Sequence, residues 1–176
     1  MAEKNSSFRQ DNNELIYTKL LDAPRELVWE VWTKPEHLKE WWGPDGFTLT
    51  HKSLKLPPGS KWQFIMHGMG QDFDTQIEYT EVVKPSLLSY RHANLANDDM
   101  SFTVRVTFEA VSGKTLLTMR NIFKSKEIIE QLNQMVNAIE GGKQTLNKLE
   151  AYINAQMTIR KQLKWKQMLR NRSDLT

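Results

Sequence analysis

The chain has 176 residues and no cysteine, which excludes disulfide bonds and thiolate chemistry. It also has no run of eighteen apolar residues, so we expect no membrane span. The first residues, MAEKNSSFRQDNNE, lack the apolar stretch of a signal peptide. We therefore predict a cytoplasmic protein, and the length is typical of a single domain.

The common motifs of enzymes and metal sites are missing too. The sequence has no HExxH, GxGxxG, GxxxxGK[ST] or GxSxG motif, so metalloprotease, nucleotide-binding and serine-hydrolase chemistry have no support. His37, His51, His67 and His92 are scattered along the chain, whereas metal ligands have to converge. We therefore expect no metal site, no cofactor and no catalytic residue.

The net charge of +3 is distributed unevenly. Residues 157–176 carry six basic side chains and one acidic one, and we treat this segment as a basic C-terminal extension. Such a segment is either a solvated extension or a surface for nucleic acid or anionic lipid; we do not expect nucleic acid to be the main partner. Residues 1–13 are polar and turn-prone, and we predict that they are disordered.

Between these segments, residues 14–156 carry the pattern of one domain. Period-two alternation is clearest where Phe102, Val104, Val106 and Phe108 alternate with polar residues. Such a strand belongs to a sheet with one buried and one solvated face. The pattern predicts seven strands: Leu15–Leu21, Phe47–Leu54, Lys61–His67, Phe73–Val83, Leu87–His92, Ser101–Glu109 and Thr115–Phe123. Pro24 and Pro35 stand at the starts of two predicted short helices after the first strand.

A long helix is predicted to cover the apolar face of the sheet. From an N-cap at Ser125, apolar or small residues recur every three or four positions, which is one stripe of an amphipathic helix. The stripe consists of Ile128, Leu132, Met135, Ile139, Gly142, Leu146, Leu149 and Ile153. A coiled coil would give the same spacing, but the sheet would then stay uncovered.

Two adjacent glycines interrupt this stripe. Gly141 and Gly142 each cost about 1 kcal/mol relative to alanine in a helix interior. They can allow close approach to the sheet, permit a bend, or leave room for a bound molecule, and the sequence leaves these alternatives open.

Asp22 to Thr48, DAPRELVWEVWTKPEHLKEWWGPDGFT, strongly resembles the start of the SRPBCC (START-like) proteins related to the activator of heat-shock-protein-90 ATPase. PPGSKWQFIMHG (57–68), EYTEVVKPSLLSY (78–90) and GKQTLNKLEAYI (142–153) resemble the same family. The resemblance implies an α+β helix-grip fold, also called START-like or birch-pollen-allergen-like, in which a curved antiparallel sheet of about seven strands wraps a long C-terminal helix.

The family likeness further implies a cavity between sheet and helix that often holds hydrophobic molecules. An aromatic residue is common near the position of Gly142 or Lys143 in the family's helix, so its absence here is expected to leave extra space. We predict these residues to line the cavity: Trp41, Trp42, Phe64, Met66, Ile77, Tyr79, Tyr90, His92, Phe102, Val104, Met119, Met135, Ile139 and Gly142.

The leading functional hypothesis is non-catalytic binding of a hydrophobic small molecule or lipid by a monomer or homodimer. The family likeness leaves a second hypothesis open, that of a co-chaperone-like module with a heat-shock-protein-90 type ATPase as partner. A third is a cyclase or dehydratase that uses Tyr90, His92 or Glu81 as acid and base. Glu81 has the parity of Tyr79, but a bulge would turn it outward.

Overall fold

The computed structural model describes residues 5–54 and 58–173. In these ranges eight strands form one antiparallel sheet in the order β1-β2-β8-β7-β6-β5-β4-β3. The strands are β1 Ser6–Asp11, β2 Glu14–Leu21, β3 Thr48–Leu54, β4 Lys61–Gly68, β5 Gln71–Val83, β6 Leu87–Asn94, β7 Phe102–Val111 and β8 Lys114–Ile122. The helices are α1 Arg25–Thr33, α2 Pro35–Trp41, α3 Lys126–Val136 and α4 Ala138–Ser173. The predicted helix-grip architecture is confirmed.

The first strand corrects the prediction of disorder at the N-terminus. β1 pairs with β2 from Ser6 to Asp11, and Asn12 takes the left-handed conformation of the connecting turn with φ 51°. The side chains of β1 are mostly exposed, and its main apolar anchor is Phe8, whose ring lies 5.0 Å from that of Tyr17. Backbone pairing at a sheet edge needs no apolar side chains, so composition gave no signal for this strand. Residues 1–4 lie outside the described residues.

The predicted single C-terminal helix is two helices. Asn137 separates α3 from α4 in the left-handed conformation, with φ 51° and ψ 51°. Its N–H donates to the carbonyl of Asn133, and the Asn133 side chain accepts a hydrogen bond from the N–H of Ile139. Asparagine tolerates this conformation better than other residues with a Cβ. In the sequence the apolar residues keep their three-and-four spacing across Asn137, so the pattern did not reveal the break.

The break changes which side of α3 faces the protein. Ile129, outside the predicted stripe, is fully buried, whereas Met135, inside the stripe, is 61% exposed. In α4 the stripe is correct, because Leu146, Leu149 and Ile153 are buried against the sheet. The helix continues through the basic C-terminal extension to Ser173, and residues 158–171 are exposed.

Aromatic side chains fill the end of the fold beneath α1 and α2. Trp41 is fully buried, and its indole N–H donates to the carbonyl of Val31. The Trp42 ring lies 4.9 Å from Trp62, which stacks on Phe64 at 4.0 Å. Burial of several large rings supplies much of the hydrophobic stabilisation of a domain of this size.

The glycine pair in α4 lies where the helix approaches neighbouring groups most closely. A Cβ on Gly142 would stand 2.6 Å from the Cζ and Oη atoms of Tyr17, and one on Gly141 would stand 3.2 Å from Pro44. The Tyr17 hydroxyl donates to the carbonyl of Ile139 at 3.2 Å. The glycines therefore permit close packing, and the extra space expected beside Gly142 is filled by the Tyr17 ring.

This contact gives a stability prediction. Gly142→Ala is expected to lower the free energy of unfolding by about 1–2 kcal/mol, because overpacking against the buried Tyr17 ring exceeds the helix propensity that alanine adds. Gly141→Ala is the matched control; we expect it to be neutral or to stabilise by up to about 1 kcal/mol. Urea denaturation monitored by tryptophan fluorescence measures both, and equal effects of the two variants would contradict the packing role of Gly142.

Candidate functional site

A cavity of about 850 Å³ lies between the inner face of the sheet and the junction of α3 with α4. Tyr90 of β6, Val104 of β7 and Asn121 of β8 are neighbours in register and form one row of its floor. Gly43 and Pro44 belong to the loop after α2 that borders the opening. The cavity exists because α4 rests on β2 at one side while the curved sheet continues beyond it.

Ten of the fourteen predicted residues line this cavity. They are Trp41, Trp42, Met66, Tyr90, His92, Phe102, Val104, Met119, Met135 and Gly142. Phe64, Ile77 and Tyr79 lie on the predicted side of the sheet but are buried in the core. The rings of Trp41, Trp42 and Trp62, here called the tryptophan cluster, belong to the same core. Ile139 is also absent from the lining; it packs partly buried against the core.

The sequence analysis missed several lining residues. Strand parity was sufficient to find three of them: Phe73 on β5, and Asn121 and Phe123, which share the face of Met119. Phe47 and Met100 lie outside the strands, where the sequence carries no periodic signal for the direction of a side chain. Leu132 was placed on the helix stripe but not assigned to the cavity.

Three rings stand side by side along one wall. His92 stacks on Phe102 with 4.7 Å between ring centroids and 9° between planes, and Phe102 stacks on Phe123 at 4.6 Å and 27°. His92 and Phe102 are direct cross-strand partners, and the ring spacing matches the distance between adjacent strands. The three rings therefore face one another across neighbouring strands and border the cavity.

The titratable groups of the floor are uncharged at neutral pH. Burial lowers the pKa of the His92 imidazole to about 4, because the charged form loses hydration. Burial and the neighbouring Tyr79 raise the pKa of Tyr90 well above its usual range, and burial raises that of Tyr79. Asn121 adds an amide whose Oδ1 is buried without a hydrogen-bond partner.

The candidate acid–base set is incomplete in the structure. The register of β5 and β6 shifts between Tyr79 and Glu81, and the bulge turns Glu81 to the outer face. Its carboxylate there accepts a hydrogen bond from the Arg105 guanidinium at 3.0 Å. Of the three candidate acid–base residues, Tyr90 and His92 therefore line the cavity, whereas Glu81 does not.

Acidic and histidine side chains do not form a metal site in the part of the chain that the structure describes. Asp72 is paired with His67 at 2.7 Å and Asp74 with Lys52 at 2.5 Å, and both carboxylates are exposed. These two carboxylates lie in the exposed β4–β5 hairpin and are each bound to a different side chain, so they do not converge as metal ligands do.

Comparison with known proteins identifies relatives of this fold. The family model described as activator of Hsp90 ATPase homolog 1-like protein matches residues 22–154. No curated protein matches the sequence. In the ranges given above for the described structure, no helix combines the length and apolar character needed to cross a membrane.

Solved structures share the architecture over most of the chain. A protein from Arthrobacter aurescens is 22% identical with a TM-score of 0.78, covering 85% of this chain and 91% of its own. Protein Ms6760 from Mycobacterium smegmatis is 26% identical with a TM-score of 0.73, covering 82% of this chain and 94% of its own. The AHSA1 protein from Silicibacter pomeroyi, 18% identical, has a TM-score of 0.65 over 81% of this chain and 99% of its own.

The neutral histidine predicts a pH dependence of stability. The unfolded chain binds a proton at position 92 below about pH 6.5, whereas the folded chain does so only below about pH 4. Stability conferred by neutral His92 is thus complete above pH 6.5 and is lost as the pH falls toward 4. The loss is on the order of 2–3 kcal/mol.

Urea denaturation between pH 7 and pH 4 tests this expectation. His92→Gln should flatten the decline in the free energy of unfolding, because glutamine does not titrate in this range. A decline equally steep in wild type and His92→Gln would show that His92 is not held neutral.

Proposed function

Since this chain belongs to the activator of Hsp90 ATPase homolog 1-like family, we propose that it binds an apolar small molecule or lipid in its cavity without acting on it chemically. The observation that carries the proposal is a cavity of about 850 Å³ bordered by Trp42, Met66, Phe102, Met119 and other apolar side chains. Sites for small molecules are concave, mostly apolar and typically 300–1,000 Å³ in volume.

The residue types of the lining are typical of a ligand-binding cavity. Met66, Met119 and Met135 border the space, and unbranched thioether side chains adapt to molecules of different shape. Tyr90, His92 and Asn121 place a few polar groups on the otherwise apolar floor. A small number of fixed polar groups in an apolar cavity orients a bound molecule.

The acid–base properties of the floor support binding rather than catalysis. A general acid or base works best with a pKa near the working pH. Burial instead lowers the pKa of His92 to about 4 and raises that of Tyr90. Both groups therefore keep their neutral forms at pH 7 and serve as hydrogen-bonding partners.

A fluorescence titration with the uncharged probe N-phenyl-1-naphthylamine tests the proposal, with native mass spectrometry to give the stoichiometry. Wild type is expected to bind one probe molecule. Val104→Phe fills the floor and should weaken binding at least tenfold. Thr103→Phe makes a similar change on the outer face of the same strand, where the side chain is exposed, and should leave binding unchanged.

A second variant guards against misfolding of Val104→Phe. Ala96 is exposed at the rim of the cavity, so Ala96→Trp is expected to fold and to obstruct entry. If both variants keep their native circular dichroism and bind the probe as wild type does, the cavity is not the binding site and the proposal is wrong.

A co-chaperone-like role is the second candidate. The observation that favours it is the C-terminal part of α4, where Leu163 and Trp165 are 60% and 59% exposed beside Lys161 and Lys164. Large exposed apolar side chains next to charged ones are typical of protein-binding surfaces.

An ATPase assay with a heat-shock-protein-90 type ATPase tests this role. The full chain is expected to raise ATP turnover, and Trp165→Glu should remove the increase while leaving binding of the naphthylamine probe intact. No change in turnover at saturating full chain would reject the co-chaperone role and leave the binding proposal untouched.

A further inference from the structure

We propose that the cavity selects uncharged ligands that carry a hydrogen-bonding group and rejects anionic amphiphiles such as fatty acids. This inference rests on the proposed binding function and adds the chemical class of the ligand. Three observations support it. The charged side chains in the lining are acidic, the nearby lysines are bound to other groups, and the polar groups of the floor are neutral.

The charged side chains that border the cavity are all acidic. Among the described residues they are Asp45, Asp72 and Asp74, and neither lysine nor arginine belongs to the lining. An anion moved from water into an apolar cavity loses its hydration, and without a cation or several donors that loss is not offset. A carboxylate or phosphate in the cavity would meet no permanent positive charge.

Basic side chains near the cavity are engaged elsewhere. Lys148 donates to the carbonyl oxygens of Gly43 and Pro44 at 3.1 and 3.4 Å. Lys52 is paired with Asp74 at the hairpin. On the other side of α4, buried Lys19 is paired with Glu150 at 2.8 Å and donates to Asn147. Turning one of them to a ligand would break contacts that already satisfy it.

His92 is the one lining group that can become a cation. Its ring is stacked on that of Phe102, and burial disfavours its protonated form. At neutral pH it therefore presents an uncharged imidazole, which can donate or accept one hydrogen bond. It can therefore form a hydrogen bond with a hydroxyl, carbonyl or amide of a ligand but supplies no positive charge to offset the negative charge of a carboxylate.

The other polar groups of the floor have the same character. The Tyr90 hydroxyl and the Asn121 amide are neutral hydrogen-bonding groups. Tyr90 and Asn121 lie in one row with Val104 between them, so their Cα atoms are about 10 Å apart at the usual strand spacing. The Oδ1 of Asn121 is buried without a protein partner, which leaves one acceptor beside the cavity unsatisfied.

Negative charge at the rim of the cavity also disfavours anionic ligands, but less strongly than the interior does. Asp45 lies in the exposed loop at the opening, whereas Asp74 is paired with Lys52 and Asp72 is hydrogen-bonded to His67. An approaching anion meets negative charge, which slows entry at low salt and is screened at high salt. Selectivity is thus set mainly inside the cavity.

Two fluorescent probes that differ by one sulfonate test the inference. N-phenyl-1-naphthylamine is uncharged, and 8-anilinonaphthalene-1-sulfonate is the same ring system with one negative charge. In titrations of the full chain, the uncharged probe is expected to bind at least tenfold more tightly. Probe binding that persists in the Val104→Phe variant is treated as adsorption to the protein surface and is subtracted from the wild-type titration.

A charge change at the rim provides the second measurement. Asp45→Lys should reduce the ratio of the two probes' dissociation constants severalfold at low salt, and this reduction should disappear at high salt. Asp22→Lys makes the same charge change at an exposed residue outside the cavity and should leave the ratio unchanged.

The outcomes separate the two proposals. If both probes bind equally, or the sulfonate binds more tightly, and Val104→Phe weakens both, the selectivity is wrong while the binding function stands. If neither probe shows binding that Val104→Phe weakens, the binding function itself is wrong.

Discussion

The close contact between Tyr17 and Gly142 fixes how the long helix lies on the sheet. Tyr17 stands on β2, and its ring occupies the space where any other residue at 142 would place its Cβ. The hydroxyl reaches the carbonyl of Ile139 in the first turn of α4, so the ring is held both by packing and by a hydrogen bond. Because α4 is drawn tightly onto β2, the curved sheet separates from it toward β6 and β5, and the cavity opens there.

Two further features limit the cavity at its ends. Beneath α1 and α2, the rings of Trp41, Trp62 and Phe64 are fully buried and close this end of the cavity. At the other end, Asn137 turns the chain and directs α3 away from the line of α4. A continuous helix would carry the residues of α3 onward in the direction of α4. The left-handed asparagine is thus part of what shapes the opening.

Much of this fold could be predicted from the sequence because strand alternation and the stripe of α4 report directly on burial. Parity placed Val104, Met119 and Tyr90 on the covered face of the sheet, and the family resemblance implied a cavity over that face. The two incorrect predictions, disorder in place of β1 and one C-terminal helix in place of two, have separate physical causes. β1 is held by backbone pairing and has little apolar surface, and a single left-handed residue at 137 leaves helical spacing intact.

The shape of the site was harder to predict than its residues. Parity tells which face a side chain takes but not whether neighbouring rings fill the space in front of it, so Phe64, Ile77 and Tyr79 were assigned to a cavity that the tryptophan cluster closes before it reaches them. The space beside the glycine pair was also difficult to predict, for a different reason. The sequence shows that side chains are missing at 141 and 142, but the large residue that takes up the room at 142 comes from a strand more than a hundred positions earlier.

The neutrality of the cavity and its apolar walls have a common physical origin. Burial at the floor raises the free energy of any charged form there, so His92 loses its proton and Tyr90 keeps its own. The same burial strengthens hydrogen bonds between neutral partners, because they compete less with water. A ligand therefore gains most if it brings an apolar body to the walls and one uncharged polar group to Tyr90, His92 or Asn121. Charge on the ligand would oppose both effects, since it would have to be desolvated where the described lining holds no cation.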